Sequence, residues 1–239
     1  YDASIAGLID STGVDIVLIG DSLGMVIQGG SNTRSVTMKD MLYHTSIVSK
    51  ACQSALVIAD MPFESYENTE LALTNAKQLV SVGADMVKIE GGREHEEIFR
   101  VLASNDINVC GHLGLQPQLV IDSSDYKIQG RDKDSAESIM SDAILLESLG
   151  ISVLVLECVP SDLARNVSSK IGIPTIGIGA GNGCDGQVLV SYDMLGITSG
   201  RQPRFVRNFM SSEDSIALAV SAFVREVKAG TFPSENESY

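Results

Sequence analysis

Short apolar runs alternate along the chain with segments whose apolar residues recur at helical spacing. The runs are VDIVLIGD (14–21), ALVIAD (55–60), DMVKIEGG (85–92), INVCGH (107–112), SVLVLEC (152–158) and IPTIGIGAG (173–181), with a weaker one at DMLGITS (193–199). Each is nearly continuous and rich in β-branched residues, the pattern of parallel strands covered on both faces. Between them, Thr37-Met-Lys-Asp40 predicts a capping box that opens a helix around MLYHTSIVSKA. NTELALTNAKQLVSVG (68–83) and SAESIMSDAILLESLG (135–150) keep a helical rhythm and end on Gly83 and Gly150, the expected C-terminal glycines. A last helix is expected over SSEDSIALAVSAFVREVKAG (211–230).

Repeated strand–helix units point to a parallel α/β sheet, open or closed. Seven strands are expected, and no low-complexity linker divides them, so the chain reads as one domain over 1–239. A (β/α)8 TIM barrel typically takes about 250 residues. The chain opens on a helix-like segment at Tyr1, so the expectation is a (β/α)8 barrel whose first strand is missing ahead of it. The stretch IDSSDYKIQGRDKD (121–134) is long for a strand-to-helix connection and is a candidate active-site loop.

Composition narrows the partners. The chain of 239 residues is 44% hydrophobic, enough for a sizeable core. A net charge of −14 disfavours nucleic acid, which needs Lys and Arg patches. No run of eighteen apolar residues is present, so no membrane span is expected. Cys52, Cys110, Cys158 and Cys184 are scattered with no C-x-x-C pair. That usage fits a reduced, cytoplasmic protein and supports neither a disulfide framework nor a zinc site.

The strand ends carry the candidate chemistry. Successive runs end in Asp21, Asp60, Glu90 (with Lys88 two before it), His112 and Glu157. In parallel α/β folds that end of the sheet is where ligands bind. Asp21, Asp60 and Glu90 are hard oxygen ligands and suit Mg²⁺, which keeps several waters and takes few protein carboxylates. Lys88 shares a strand face with Glu90 and is placed to pair with a substrate carboxylate. His112 suits a structural hydrogen bond and a substrate contact equally; His44 reads as structural and His95 as exposed. Glu157, not needed for the metal and partly apolar in setting, suits general-base work with a raised pKa. A Mg²⁺-bound 2-oxo acid is acidified at the carbon beside its ketone, so metal, lysine and base together point to enolate chemistry. Gly181-Asn-Gly-Cys-Asp-Gly186 matches G-x-G-x-x-G, but position 206 is Val and no helix start is clear. A close-packed rim loop is the expected reading over a dinucleotide site.

The blocks GDSLGMVIQG (20–29), ADMPF (59–63), MVKIEGG (86–92), VCGHLGLQPQ (109–118), YKIQGR (126–131), LVLECVP (154–160) and IPTIGIGAGNGCDGQ (173–187) resemble, in order, the motif series of the ketopantoate hydroxymethyltransferase family. The resemblance spans nearly the whole chain. It implies a (β/α)8 barrel of the phosphoenolpyruvate mutase/isocitrate lyase superfamily and a homo-oligomer, a decamer in the family. It also implies transfer of a hydroxymethyl unit from 5,10-methylenetetrahydrofolate to 3-methyl-2-oxobutanoate, with Mg²⁺, in pantothenate synthesis. By the same resemblance Asp21 and Asp60 match metal ligands and Glu90 the third metal-site carboxylate. Ser22 and Lys88 match positions that hold the oxo-acid carboxylate, with Asp21 and Asp60 beside them, and Glu157 matches the base. Arg201 departs from the family, where many relatives carry a histidine. The rival readings are a Mg²⁺-dependent 2-oxo-acid aldolase or lyase of the same superfamily without folate, and a non-catalytic metabolite-binding barrel.

Overall fold

A computed structural model describes residues 1–121, 126–200 and 202–239. Part of the proposed active-site loop (122–125) and Arg201 lie outside the described residues. The chain packs into two compact units: Tyr1–His112 with Gln116–Tyr126 and Leu145–Ser152, and Leu113–Leu115 with Lys127–Ile144 and Val153–Tyr239.

In the first unit β1 (Ile16–Ile19), β2 (Leu56–Asp60), β3 (Met86–Glu90) and β4, which begins there (Val109–Gly114), pair in parallel and in chain order. The register sets Asp60 beside Lys88 and Glu90 beside His112. All five residues of β3 are buried, as expected for a strand covered on both faces. Around the strands lie α1 (Ala3–Asp10), α2 (Leu23–Val26), α3 (Met38–Ala51), α4 (Thr69–Ser81) and α5 (Glu96–Ala103). Ile58, Leu79, Val87, Ile89, Phe99 and Leu102 are among the buried apolar residues, each worth about 1.5–3 kcal/mol in transfer free energy.

Helix ends follow the sequence signals. Thr37 and Asp40 form the reciprocal capping box of α3. After α4, Gly83 at φ +112° donates its N–H to the Val80 carbonyl and Ala84 donates to Leu79, a Schellman closure. Gly150 and Ile151 repeat it after the helix that ends at Ser148, donating to Glu147 and Leu146. Asp106, at φ +58°, closes α5 in the same way without a glycine.

The second unit holds β5 (Val153–Glu157), β6 (Thr175–Ile178) and β7 (Gly186–Gln187), parallel and in chain order. It also holds most of α6 (Lys133–Ser148), with α7 (Ser161–Lys170), α8 (Ser191–Met194) and α9 (Ile216–Lys228). The weak strand expected at 193–199 is instead the end of α8 and a turn, in which Gly196 (φ +67°) donates to the Asp193 carbonyl. The seventh strand is the two-residue β7. The last helix starts at Ile216 rather than near 211, because the Ser215 hydroxyl accepts the Leu218 N–H and caps it there. The Gly-rich stretch is a close-packed loop: a side chain at Gly179 would strike the Phe205 ring, and one at Gly183 would strike Arg165. Phe209, Phe223 and Phe232 pack edge to face with centroids 5.4–5.7 Å apart. Among the described residues no helix is long and apolar enough to cross a membrane, and no disulfide joins the four cysteines.

Candidate active site

Burying an ionised side chain costs several kcal/mol unless it is paired or hydrogen-bonded. The first unit nevertheless buries four charged residues at the C-terminal ends of its strands: Asp21, Asp60, Lys88 and Glu90. Asp60 closes β2 and Lys88 lies beside it on β3, so the parallel register alone makes them neighbours. Lys88 Nζ stands 2.9 Å from Asp60 Oδ1. The other oxygen, Oδ2, accepts the Asp21 backbone N–H at 3.0 Å, which fixes the turn that carries Asp21 out of β1. Gly20 leaves room for the Ser22 hydroxyl, which a Cβ there would meet at 2.7 Å.

Glu90, the last residue of β3, accepts the backbone N–H of Gln118 at 3.1 Å through Oε2. Its other oxygen lies 3.6 Å from His112 Nδ1 on the next strand. Burial is the largest influence on the Lys88 ammonium and acts to lower its pKa. The carboxylates of Asp60, Glu90 and Asp21 outweigh it and hold Lys88 above the ordinary lysine value. Lys88 is therefore a fixed positive charge among carboxylates.

Ser22, at the start of α2, is half-buried, with its hydroxyl 2.6 Å from that of Tyr1. His44 is structural, as expected: Nδ1 lies 2.7 Å from the Tyr1 carbonyl. His95, expected to be exposed, is half-buried and packs edge-on against Tyr66 at 5.2 Å, and burial lowers its pKa. Two residues carry much of the site yet give no periodic signal. Gln118 and Tyr66 are both buried, and the Tyr66 hydroxyl donates to Gln118 Oε1 at 2.6 Å. Gln118 Nε2 in turn donates to Asp21 Oδ2 at 2.8 Å. The available signal for Gln118 was its place in the block VCGHLGLQPQ.

Among the described residues, no three His, Cys, Asp or Glu side chains are grouped closely enough to enclose an ion by themselves. The donor set still suits Mg²⁺, which usually takes one or two carboxylates and completes its sphere with water and substrate oxygens. Asp60 Oδ1 is buried and, beyond its ion pair with Lys88, receives no directed hydrogen bond. With all three carboxyls ionised, they and Lys88 leave a formal charge of −2 in the cluster, the complement of a divalent cation.

Glu157 belongs to the second unit. It ends β5, is half-buried, and pairs in register with Ile178. Its carbonyl accepts the Leu115 N–H at 2.8 Å, and Gly114 lies so close that any Cβ there would overlap that carbonyl. Cys158 follows at φ +50°, a left-handed residue that turns the chain sharply just past the carboxylate. Burial, and then the Glu157 charge, push its thiol pKa far up, so Cys158 is no nucleophile.

Comparison with known proteins places this arrangement. A protein named 3-methyl-2-oxobutanoate hydroxymethyltransferase from Ruthia magnifica subsp. Calyptogena magnifica is 59% identical over 239 residues, covering 100% of this chain and 92% of its own. One of the same name from Marinobacter nauticus (strain ATCC 700491 / DSM 11845 / VT8) is 48% identical, covering 100% and 90%. Among solved structures, 2,3-dimethylmalate lyase, a PEP mutase/isocitrate lyase superfamily member, matches with TM-score 0.57 at 19% identity, over 74% of this chain and 64% of that one. Phosphonopyruvate hydrolase in complex with oxalate and Mg²⁺ matches with TM-score 0.57 at 11% identity over the same shares. These likenesses show the TIM-barrel-like α/β fold of that superfamily, as the strand rhythm predicts. The family model for ketopantoate hydroxymethyltransferase matches residues 1–235, and the chain belongs to that family.

Proposed function

We propose that this chain transfers a hydroxymethyl unit from 5,10-methylenetetrahydrofolate to 3-methyl-2-oxobutanoate, giving ketopantoate for pantothenate synthesis. The observation that carries the reading is the buried Lys88–Asp60 pair beside Asp21 and Glu90 at the strand ends of a family member. Asp21 and Asp60 would hold Mg²⁺ directly, and Glu90 through water. When bound, the ion supplies Lewis acidity that polarises the ketone and acidifies the neighbouring carbon.

Lys88, permanently charged, pairs with the carboxylate of the oxo acid, and the Ser22 hydroxyl donates to it. Held by Asp60 on a fully buried strand, the ammonium has a fixed place, and this contact orients the ketone toward the carboxylates. Glu157 takes the proton from carbon 3. The electron pair left behind delocalises into the ketone as an enolate, and that carbon bonds to the one-carbon unit. The two carbon–nitrogen bonds to the folate break, water supplies the hydroxyl oxygen, and the proton from carbon 3 and one from water end on the folate nitrogens as tetrahydrofolate leaves. A general base in this role contributes roughly 10²–10⁴-fold to the rate. A cytoplasmic homo-oligomer, decameric as the family resemblance implies, completes the proposal; four cysteines outside any disulfide suit such a reducing compartment.

The test is product formation from 3-methyl-2-oxobutanoate and Mg²⁺ with and without 5,10-methylenetetrahydrofolate. Ketopantoate is expected only with the folate. Cleavage or condensation of oxo acids without folate, and no folate-dependent product, would favour the aldolase or lyase reading instead.

A further inference from the structure

Building on Asp21 as a metal-binding carboxylate, we infer that Gln118 is the positioning residue that fixes Asp21, and that Tyr66 fixes Gln118. Gln118 lies in the single 3-10 turn Pro117–Leu119 that follows β4, and only 2% of it is exposed. A buried primary amide is costly unless its two donors and its acceptor all find partners. Here each does. Nε2 donates to Asp21 Oδ2 at 2.8 Å and to the Met61 carbonyl at 2.9 Å, while Oε1 accepts from Tyr66 at 2.6 Å. The main chain is tied as well: its N–H donates to Glu90 Oε2 at 3.1 Å, and its carbonyl accepts from Arg34 Nη1 at 3.0 Å. One residue thus joins the ends of three strands.

The amide has one admissible orientation. Turned end for end, its oxygen would face two pure acceptors, the Asp21 carboxylate and the Met61 carbonyl. Tyr66 locks the chosen orientation from the other side. Burial, and then the Glu90 charge, raise its pKa well above the ordinary tyrosine value, so the hydroxyl stays protonated and available as donor. Asp21 needs such a support because it sits in a turn beyond β1, not on the strand itself. The Gln118 side-chain Nε2–H occupies one lone-pair direction of Asp21 Oδ2 and holds that carboxylate oxygen in place. Partners of this kind around metal ligands typically matter about 10–100-fold for metal affinity.

The test is calorimetric titration of Mg²⁺ alone into the full chain and four variants: Gln118→Met, Tyr66→Phe, their combination, and Asp21→Asn. Gln118→Met should weaken Mg²⁺ binding about tenfold, and Tyr66→Phe, losing one neutral hydrogen bond, about threefold. The double variant should bind as Gln118→Met does, because Tyr66 acts only through Gln118. Melting midpoints recorded alongside separate loss of positioning from loss of fold. If Gln118→Met does not fold, Tyr66→Phe decides alone, and unweakened binding there overturns the inference. If Asp21→Asn abolishes binding while Gln118→Met binds like wild type, the positioning role is wrong and the metal reading stands. Multiplying effects of Tyr66→Phe and Gln118→Met also overturn it. If Asp21→Asn binds like wild type, both readings fall.

Discussion

Replacing Lys88 by methionine keeps an unbranched side chain one atom shorter and removes its charge from the middle of three carboxylates. The side chains of Lys88 and Asp60 are 6% and 4% exposed and the charged atoms stand 2.9 Å apart. At an effective dielectric of about 20, that separation corresponds to roughly 6 kcal/mol of attraction. Part is offset because a buried ammonium no longer has to be desolvated, and removing one partner of a buried pair costs about 3–5 kcal/mol. For a chain of this size each kcal/mol moves the melting midpoint by about 2–4 °C, so Lys88→Met should melt roughly 6–20 °C below wild type without metal. The folded pKa of Lys88 is raised, so its contribution is fully present below the unfolded lysine value of about 10.4 and is lost only as pH rises through the higher folded value. The deficit should therefore stay constant from near-neutral pH up to about pH 10. Added Mg²⁺ should stabilise the variant by mass action. Circular dichroism melts in chelator and in Mg²⁺ measure both effects. A midpoint within about 2 °C of wild type in chelator would refute the pairing energetics.

Gly114→Ala places a Cβ against the Glu157 carbonyl and 2.8 Å from Val159 Cγ1, at a residue with φ +96°. The left-handed backbone alone costs about 1–2 kcal/mol, so both the melting midpoint and the turnover number should fall; an unchanged midpoint would count against the close approach. In the second unit, burial would raise the Glu237 pKa, but Arg207 and Ser234 overcome it and hold the carboxyl down at about 2. Its stabilisation is present above the ordinary carboxylate range and disappears as pH falls toward about 2. Acid unfolding of wild type should thus be steeper over that window than that of Glu237→Gln, and identical pH profiles would refute the pairing.

The strands β1–β6 are legible in the sequence because each lies in a short, mostly apolar run whose polar residues gather toward its C-terminal end. β7 is not, since Gly186 and Gln187 carry no apolar signal and become a strand by pairing with Ile176 and Gly177. The run at 193–199 misleads because Met194 and Leu195 are buried in a short helical turn, where adjacent apolar residues serve as well as in a strand. Asp106 closing α5 was equally silent, as Asp marks many turns and only its positive φ distinguishes this one. Within the site, Asp60, Lys88 and Glu90 are visible as charges that interrupt strands, where burial makes them conspicuous. Gln118 and Tyr66 come from a turn and a loop, where polar residues are ordinary. Their importance lies in hydrogen bonds that only the fold assembles.

Glu157 is proposed as the base that takes a proton from carbon 3 of the oxo acid. The most direct measurement follows deuterium exchange at carbon 3 of 3-methyl-2-oxobutanoate in deuterium oxide by proton NMR, with Mg²⁺ and without folate. Wild type should exchange the proton only when Mg²⁺ is present, and Glu157→Gln should still bind the oxo acid while exchanging it at least about 10²-fold more slowly. Full exchange by Glu157→Gln would contradict the account.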